Sequence, residues 1–463
     1  METTPQQGWR EYLLAPVDAA SLVALRVLFG LLMFVGIVRF FLYDWIYKFY
    51  VRPSFHFDYF GFAWVKPWSE TGLYIHFALL ALLALCIALG LFYRWSVGLF
   101  LIGFLYVELL DKTYYLNHYV LVSYLCFLML WLPLGRTASL DVWRGAVAPS
   151  STVPRWCLWA MRLQIGLVYF FAGVAKLKSD WLLMGQPLHI WLSTFEYLPL
   201  VGPWMRTQFV ALAFSWGGAI FDLTVVFFLL WRPTRIWAYL VVIVFHTITG
   251  SLFYIGMFPW MMTGFALIFF EPDWPKRLWT WWRSDVQTDT PAVEALPSVS
   301  QDRALRRFGF VVLGVFFAIQ LALPLRHHLY PGNVCWREEG FRFAWHVMLI
   351  EKTGFVQFRL HDANSGKRWV LSPRQYLTPL QVKMMSTQPD MILTFAHELA
   401  ARFRRKGYPG IEVYADAFAS LNGRPRQRLL DPHVDLARQP RGWAPKRWIV
   451  PLQTSASAAR RKS

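Results

Sequence analysis

The sequence predicts a mainly helical membrane protein: a polytopic bundle of about eight or nine spans, followed by a small α/β extramembrane domain. Three observations predict it. Of 463 residues, 56% are hydrophobic, 18% aromatic and only 16% charged, with a mean hydropathy of +0.36, a composition of membrane chains rather than soluble or disordered ones. Apolar runs long enough to cross a bilayer, or nearly so, recur from residue 21 to residue 325. Beyond about residue 326 the pattern changes to short alternating segments with turn residues between them.

The runs lie near 21–43, 72–93, 96–110, 117–135, 157–175, 208–230, 236–254, 256–271 and 306–325, the third and eighth being short. Trp, Tyr, Pro and Arg clusters separate them, as interfacial belts and turns do. The first run reads as an uncleaved anchor. Glu2, Glu11 and Asp18 precede it where a signal peptide would be basic, and no small-residue cleavage site follows. Lys and Arg fall mainly in alternate connections, among them Arg94, Arg136, Arg144, Arg155, Arg232, Arg235, Lys276 and Arg277. By the positive-inside rule these face the cytoplasm, together with the N-terminus. The polar segment 284–302 reads as a cytoplasmic linker within the first domain, 1–325.

An odd number of spans places the second domain, 326–463, outside the cytoplasm. Phe355–Leu360 and Ile411–Asp416 alternate like half-buried strands, and Asn364-Ser365-Gly366 is turn chemistry. Residues 380–403 carry helical spacing, with Met384, Met391, Ile392 and Phe395 on overlapping faces. Most of the net charge of +18 lies in this domain. No nucleic-acid motif accompanies it, so membrane lipids and an acidic protein or peptide are the expected partners. The four cysteines form neither a disulfide framework nor a metal spacing, and the adjacent His327 and His328 do not suit one ion, so no metal is expected.

Three polar segments fall at the outer ends of spans in this topology. Leu110–Tyr119 contains His118, Tyr169–Trp181 contains Lys176, and Phe245–Trp260 contains His246. A lysine ending an apolar run either snorkels to the headgroups or sits poorly solvated, where its neutral amine is a usable base. His118 at a helix start and His246 inside an apolar run are each either structural or functional; a polar group at membrane depth must find a partner. Gly256 and Pro259 predict a broken helix beside His246, which is tolerated only against protein or a wet cavity.

Together these segments resemble the vitamin K-dependent γ-glutamyl carboxylase family, in its short microbial form with the horizontally transferred transmembrane (HTTM) domain. The resemblance rests on Leu-Asp-Lys-Thr with Asn-His (Leu110–His118), Phe-Ala-Gly-Val-x-Lys-Leu with Asp-Trp (Phe171–Trp181), and Phe-His with Leu-Phe-x-Ile-Gly-Met-Phe (Phe245–Phe258). Glu338–Lys352 and Asp431-Pro432-His433-Val434-Asp435 extend it nearly to the end of the chain. The resemblance implies a carbon–carbon lyase that couples epoxidation of vitamin K hydroquinone, or menaquinol, by O2 to addition of CO2 at a peptide glutamate. It implies Lys176 as the initiating base, His118 near the carbanion step, His246 beside the quinone, and Arg342 and Trp345 in the glutamate-peptide segment. The γ-proton is too weakly acidic for any side chain at neutral pH, so the cofactor must supply the strong base and the protein a dry, oriented site.

The chain departs from the animal enzymes at Thr249 and Ser251, where they carry Asn and Gln, at Ala175, where they carry a second lysine, and at Ile350, where they carry histidine. It matches the shorter microbial relatives, without the further C-terminal region that helps the animal enzymes hold a propeptide. Two other readings therefore stand beside the carboxylase: a quinol oxygenase that does not carboxylate peptides, and a non-enzymatic transporter or scaffold. The expected location is a bacterial inner membrane, with the C-terminal domain periplasmic.

Overall fold

A computed structural model describes residues 8–282 and 303–453, so the expected linker at 284–302 lies outside the described residues. Among the described residues, seven helices are long and apolar enough to cross a membrane. They are α1 (Ala20–Leu42), α2 (Glu70–Leu89), α3 (Tyr93–Leu110), α5 (Arg155–Lys176), α6 (Gln208–Leu230), α7 (Arg235–Leu252) and α9 (Arg303–Leu325). Two shorter apolar helices complete the bundle, α4 (Asn117–Trp131) and α8 (Phe258–Phe265). The nine expected runs are therefore all helical, but the short ones are the fourth and the eighth. The 117–135 run overshoots because Pro133 follows Leu132 and lacks the N–H that a further turn needs. The third gains a turn at its start, from Tyr93.

Small residues set how closely these helices approach. A methyl on Gly30 of α1 would lie 2.8 Å from the Cα of Ala88 on α2, so the two backbones touch there. Gly173 of α5 does the same against α6: an added Cβ would meet the backbone N of Leu223 at 2.8 Å and its Cγ at 2.7 Å. Without a hydrophobic drive between helices in lipid, such close backbone packing is a principal source of association.

The C-terminal region carries a four-stranded antiparallel sheet in the order β2-β1-β3-β4, with β1 Lys352–Asp362, β2 Arg368–Leu371, β3 Ile411–Leu421 and β4 Gln427–Arg428. β1 and β3 pair along their full length, from Lys352 opposite Leu421 to Asp362 opposite Ile411. Every second residue of β3 is buried, beneath the Met391, Ile392, Phe395, Leu399 and Phe403 face of a helix. The 380–403 segment is two helices rather than one, α10 (Pro379–Met385) and α11 (Pro389–Arg405). Pro389 begins the second, where its missing N–H costs nothing. Asn364-Ser365-Gly366 turns between β1 and β2, with the Asp362 carboxylate accepting from the Ser365 N–H and O–H.

This region sits on one end of the bundle, and the two share a core: Ala175, Trp181, Leu188, Leu192 and Ala219 cluster with Val334, Leu349 and the sheet. Polar contacts fix the fit. Lys112 Nζ donates to Asp390 Oδ2 at 2.9 Å, the Gln381 amide donates to Asp111 Oδ2 at 3.0 Å, and Arg424 grips Asp180 at 2.7 and 2.5 Å.

Candidate active site

The residues singled out in three separate segments meet under this C-terminal cap. Lys176 is the last residue of α5 and is 5% exposed. Its ammonium donates to Asp222 Oδ2 on α6 at 2.6 Å and to the Ala172 carbonyl at 3.3 Å, and lies 5.4 Å from the Trp181 ring centroid. The Gly173–Leu223 contact makes this possible: it brings α5 and α6 together one turn from Lys176 and beside Asp222. Trp181 is locked in turn, its Nε1 donating to the Ser215 carbonyl at 2.7 Å while the Ser215 hydroxyl donates to the Trp181 carbonyl.

Lys176 and Asp222 line a cavity with His246 of α7, which is 3% exposed. The cavity holds about 690 Å³ of empty space between its walls, counting its open mouth. Its other walls are apolar, including Val168, Ala172, Phe214, Phe245, Phe253 and Met262. The Tyr169 hydroxyl lies 2.9 Å from His246 Nε2, and Nδ1 is buried with no hydrogen-bond partner among the described residues. In the tautomer where Nε2 accepts from Tyr169, Nδ1–H is left as a free donor. Thr249 also lines the wall, but its hydroxyl is turned onto its own helix, donating to the Phe245 carbonyl at 2.9 Å.

His118 lies next door. It is buried at the start of α4 in a second cavity, lined also by Arg39, Tyr119 and Met261, with about 610 Å³ of empty space. Phe258 stands between the two histidines, its ring centroid 6.1 Å from His118 and 6.2 Å from His246. Gly256, at φ +63°, lets the chain turn between α7 and α8 directly against His118; an added Cβ would sit 3.8 Å from the imidazole Nε2. The break expected at Gly256 and Pro259 is present, with Pro259 in the first turn of α8.

Arg342 and Trp345 occupy a strap that crosses the end of the bundle. Four non-glycine residues in it hold positive φ: Glu338, Phe343, Trp345 and Met348. Such conformations cost about 1–3 kcal/mol each and persist only where the surroundings over-determine them. Here Arg342 donates to Asp390 Oδ2 at 2.9 Å and to the Gln388 side chain, and Trp345 is buried in the bundle core against Tyr124. Neither lines the Lys176 cavity; the following residues Val347 and Met348 do. Burial alone would raise the Asp390 carboxyl, but Arg342 and Lys112 outweigh it and hold it well below the usual carboxylate range. No group of three or more His, Cys, Asp or Glu among the described residues suits a metal ion.

Comparison with known families places the chain. Residues 14–274 match the HTTM domain, and residues 305–455 match the lumenal domain of vitamin K-dependent gamma-carboxylase. The chain belongs to the vitamin K-dependent carboxylase family. It is an integral membrane protein of that family, and the family implies vitamin K as the cofactor and a glutamate-containing protein as the substrate. No solved structure matches the chain.

The cofactor that the family implies is, in its reduced form, a naphthoquinol. Such a molecule needs apolar walls for its rings and polar partners for its hydroxyls, and this carboxylase-family cavity offers an unsatisfied His246 Nδ1 and the Lys176–Asp222 pair in an otherwise apolar wall. Asp222 and Tyr169 were not singled out from the sequence. Asp222 had a signal, as the lone acid inside the apolar run 208–230, and ionisable residues there mark function by default. Tyr169 had none, since a tyrosine in an apolar run reads equally as packing.

Proposed function

We propose that this protein is a γ-glutamyl carboxylase that couples epoxidation of vitamin K hydroquinone, or menaquinol, by O2 to addition of CO2 at a peptide glutamate. The observation that carries the reading is the Lys176–Asp222 pair, buried in the wall of an apolar cavity that it shares with His246.

The pair is neutral as a unit, either as ammonium with carboxylate or as amine with carboxylic acid. Accepting one further proton leaves it as ammonium with carboxylic acid, one positive charge beside the cavity. That charge is worth far more in an apolar wall than in water, and it is created where a hydroxyl loses its proton. Lys176 Nζ is the atom at the cavity, and Asp222 Oδ2 holds the proton behind it. His246 Nδ1 orients the bound ring, Phe258 and the strap residues Val347 and Met348 keep water out, and His118 serves the adjoining cavity. Reduced vitamin K supplies, with O2, the base strong enough to remove a γ-proton. Arg342 and Trp345 act on the peptide side by fixing the strap. The C-terminal region faces the periplasm of a bacterial inner membrane in this reading, and the N-terminus the cytoplasm.

The test is incorporation of labelled CO2 into a short glutamate peptide by the purified protein in detergent, with reduced vitamin K and O2, beside Lys176→Ala. Label and epoxide are expected from the natural protein and neither from the variant. Full activity in Lys176→Ala rejects the assignment of the base. Epoxide without label in the natural protein supports the quinol oxygenase instead, a reading favoured by Ile350 and by the self-bonded Thr249 hydroxyl.

A further inference from the structure

A third cavity opens beside the first, at the seam between the bundle and the C-terminal region. It is larger and more polar, with about 970 Å³ of empty space counting its mouth. Lys178, two residues beyond the end of α5, lines it. The Lys178 ammonium has a thiol for a neighbour, Cys335 Sγ at 3.7 Å, and no carboxylate within ion-pair distance among the described residues. The acid in the same wall, Asp180, is already saturated by Arg424 and by the Asn422 amide at 3.0 Å. The cleft therefore presents one cation without a salt-bridge partner among the described residues, and an acid already engaged by Arg424. Gln186 lines it too, and its side-chain Oε1 has no partner among the described residues.

Two features tie this cleft to the Lys176 cavity. Trp181 lines both. The strap divides between them as well: Met348 lines the inner cavity and the next residue, Leu349, lines the cleft. Trp181 and the strap are therefore the wall that the cleft shares with the Lys176 cavity. The mouth is rimmed by His328, which is exposed.

We infer that this cleft binds an acidic peptide segment, one carboxylate against Lys178 and a backbone N–H against Gln186, so that a neighbouring glutamate side chain reaches past Trp181 into the Lys176 cavity. This rests on the carboxylase reading for its choice of substrate, and on the cleft's own charge and connection for its place. A cation with no acid partner at the membrane edge suits a lipid phosphate too, but a lipid headgroup has no need of a wall shared with the inner cavity or of a side-chain amide acceptor.

The test measures binding and needs no turnover. The full chain in nanodiscs of neutral lipid is titrated with a fluorescent peptide carrying two adjacent glutamates, and with the same peptide carrying glutamines. Saturable binding of the glutamate peptide is expected, at least tenfold tighter than the glutamine peptide. Lys178→Glu is expected to weaken it at least tenfold, and His328→Glu, on the exposed rim where folding is not at stake, severalfold. A photo-crosslinker beside the glutamates should label 178–186 or 327–335. Equal affinity for both peptides, unchanged binding in both variants, or crosslinks elsewhere overturn the inference. So does loss of peptide binding in nanodiscs containing phosphatidylglycerol, which assigns the site to a lipid. Peptide binding without CO2 fixation keeps the cleft and rejects the carboxylase; CO2 fixation with binding unaffected by Lys178→Glu does the reverse.

Discussion

Lys176 Nζ and Asp222 Oδ2 lie 2.6 Å apart with both side chains almost fully buried, so each is the other's counter-charge. Removing one partner of such a pair strands the other charge and costs about 3–5 kcal/mol, whereas replacing both with apolar residues of similar size is often neutral. Lys176→Ala should therefore lose stability as well as activity, while Lys176→Met with Asp222→Leu should melt close to the natural protein and still turn over no quinol. Thermal melting beside epoxide formation separates the two effects. A double variant that is both stable and active removes the pair from the chemistry.

Asp222→Asn keeps the shape and one hydrogen bond but cannot hold the second proton. Positioned acid–base groups contribute about 10²–10⁴-fold, and a loss in that range is expected for epoxide formation at saturating quinol. Unchanged turnover would reduce Asp222 to a packing partner.

The close approach of α5 and α6 predicts a second-site rescue. An added Cβ on Gly173 meets Leu223 at 2.7 Å, so Gly173→Ala should push the helices apart, lengthen the Lys176–Asp222 contact and depress activity. Leu223→Ala should restore part of it by vacating that space. Each substitution alone lowers the melting temperature, and the double variant is expected to recover by more than additivity allows, the signature of residues in contact. Strictly additive losses would place the site's geometry elsewhere.

The bundle was legible in the sequence because a span must be both long and apolar, and the sheet because Phe355–Leu360 and Ile411–Asp416 alternate. Lys176, His118 and His246 were legible as motif residues, and the structure brings Lys176 and His246 to one cavity with His118 across Phe258. The strap was not legible. Glu338, Phe343, Trp345 and Met348 hold positive φ without being glycine, and no local signal announces that. The strap they belong to is held by distant partners, Asp390 on α11 for Arg342 and Tyr124 on α4 for Trp345. The pairing of Lys112 with Asp390 is equally non-local, joining residues 278 positions apart.

That clamp makes its own test. Asp390 takes both Lys112 and Arg342; the two cations are largely buried, while the carboxylate side chain is about a third exposed. Asp390→Ala leaves two cations without their carboxylate in one buried place, and about 3–5 kcal/mol of stability should be lost. The strap should loosen first, so limited proteolysis is expected to cut near 338–348 before the bundle unfolds. A variant that resists protease as well as the natural protein would show that the strap is held by its other contacts, such as the Trp345 burial and the Phe343 N–H to the Tyr115 hydroxyl.

His346, next to Trp345 in the strap, gives the chain a built-in acid sensitivity. It is 3% exposed, neither ring nitrogen has a partner among the described residues, and it packs against Phe341 and His327. Burial, followed by the positive field of Lys178 and the neighbouring His327 and His328, pushes its pKa down to about 2. The unfolded chain protonates this imidazole near pH 6.5 and the folded chain does not. The unfolded state therefore binds more protons throughout that window, and stability must rise with pH across it and fall as pH drops below about 6.5. At about 1.4 kcal/mol per pH unit, this single group destabilises the fold by about 3 kcal/mol between pH 6.5 and pH 4. His346→Phe keeps a ring of similar shape with nothing to protonate. Its melting temperature should match or exceed the natural protein's at pH 7 and decline less steeply toward pH 4; parallel curves for the two proteins would place the acid sensitivity in other groups.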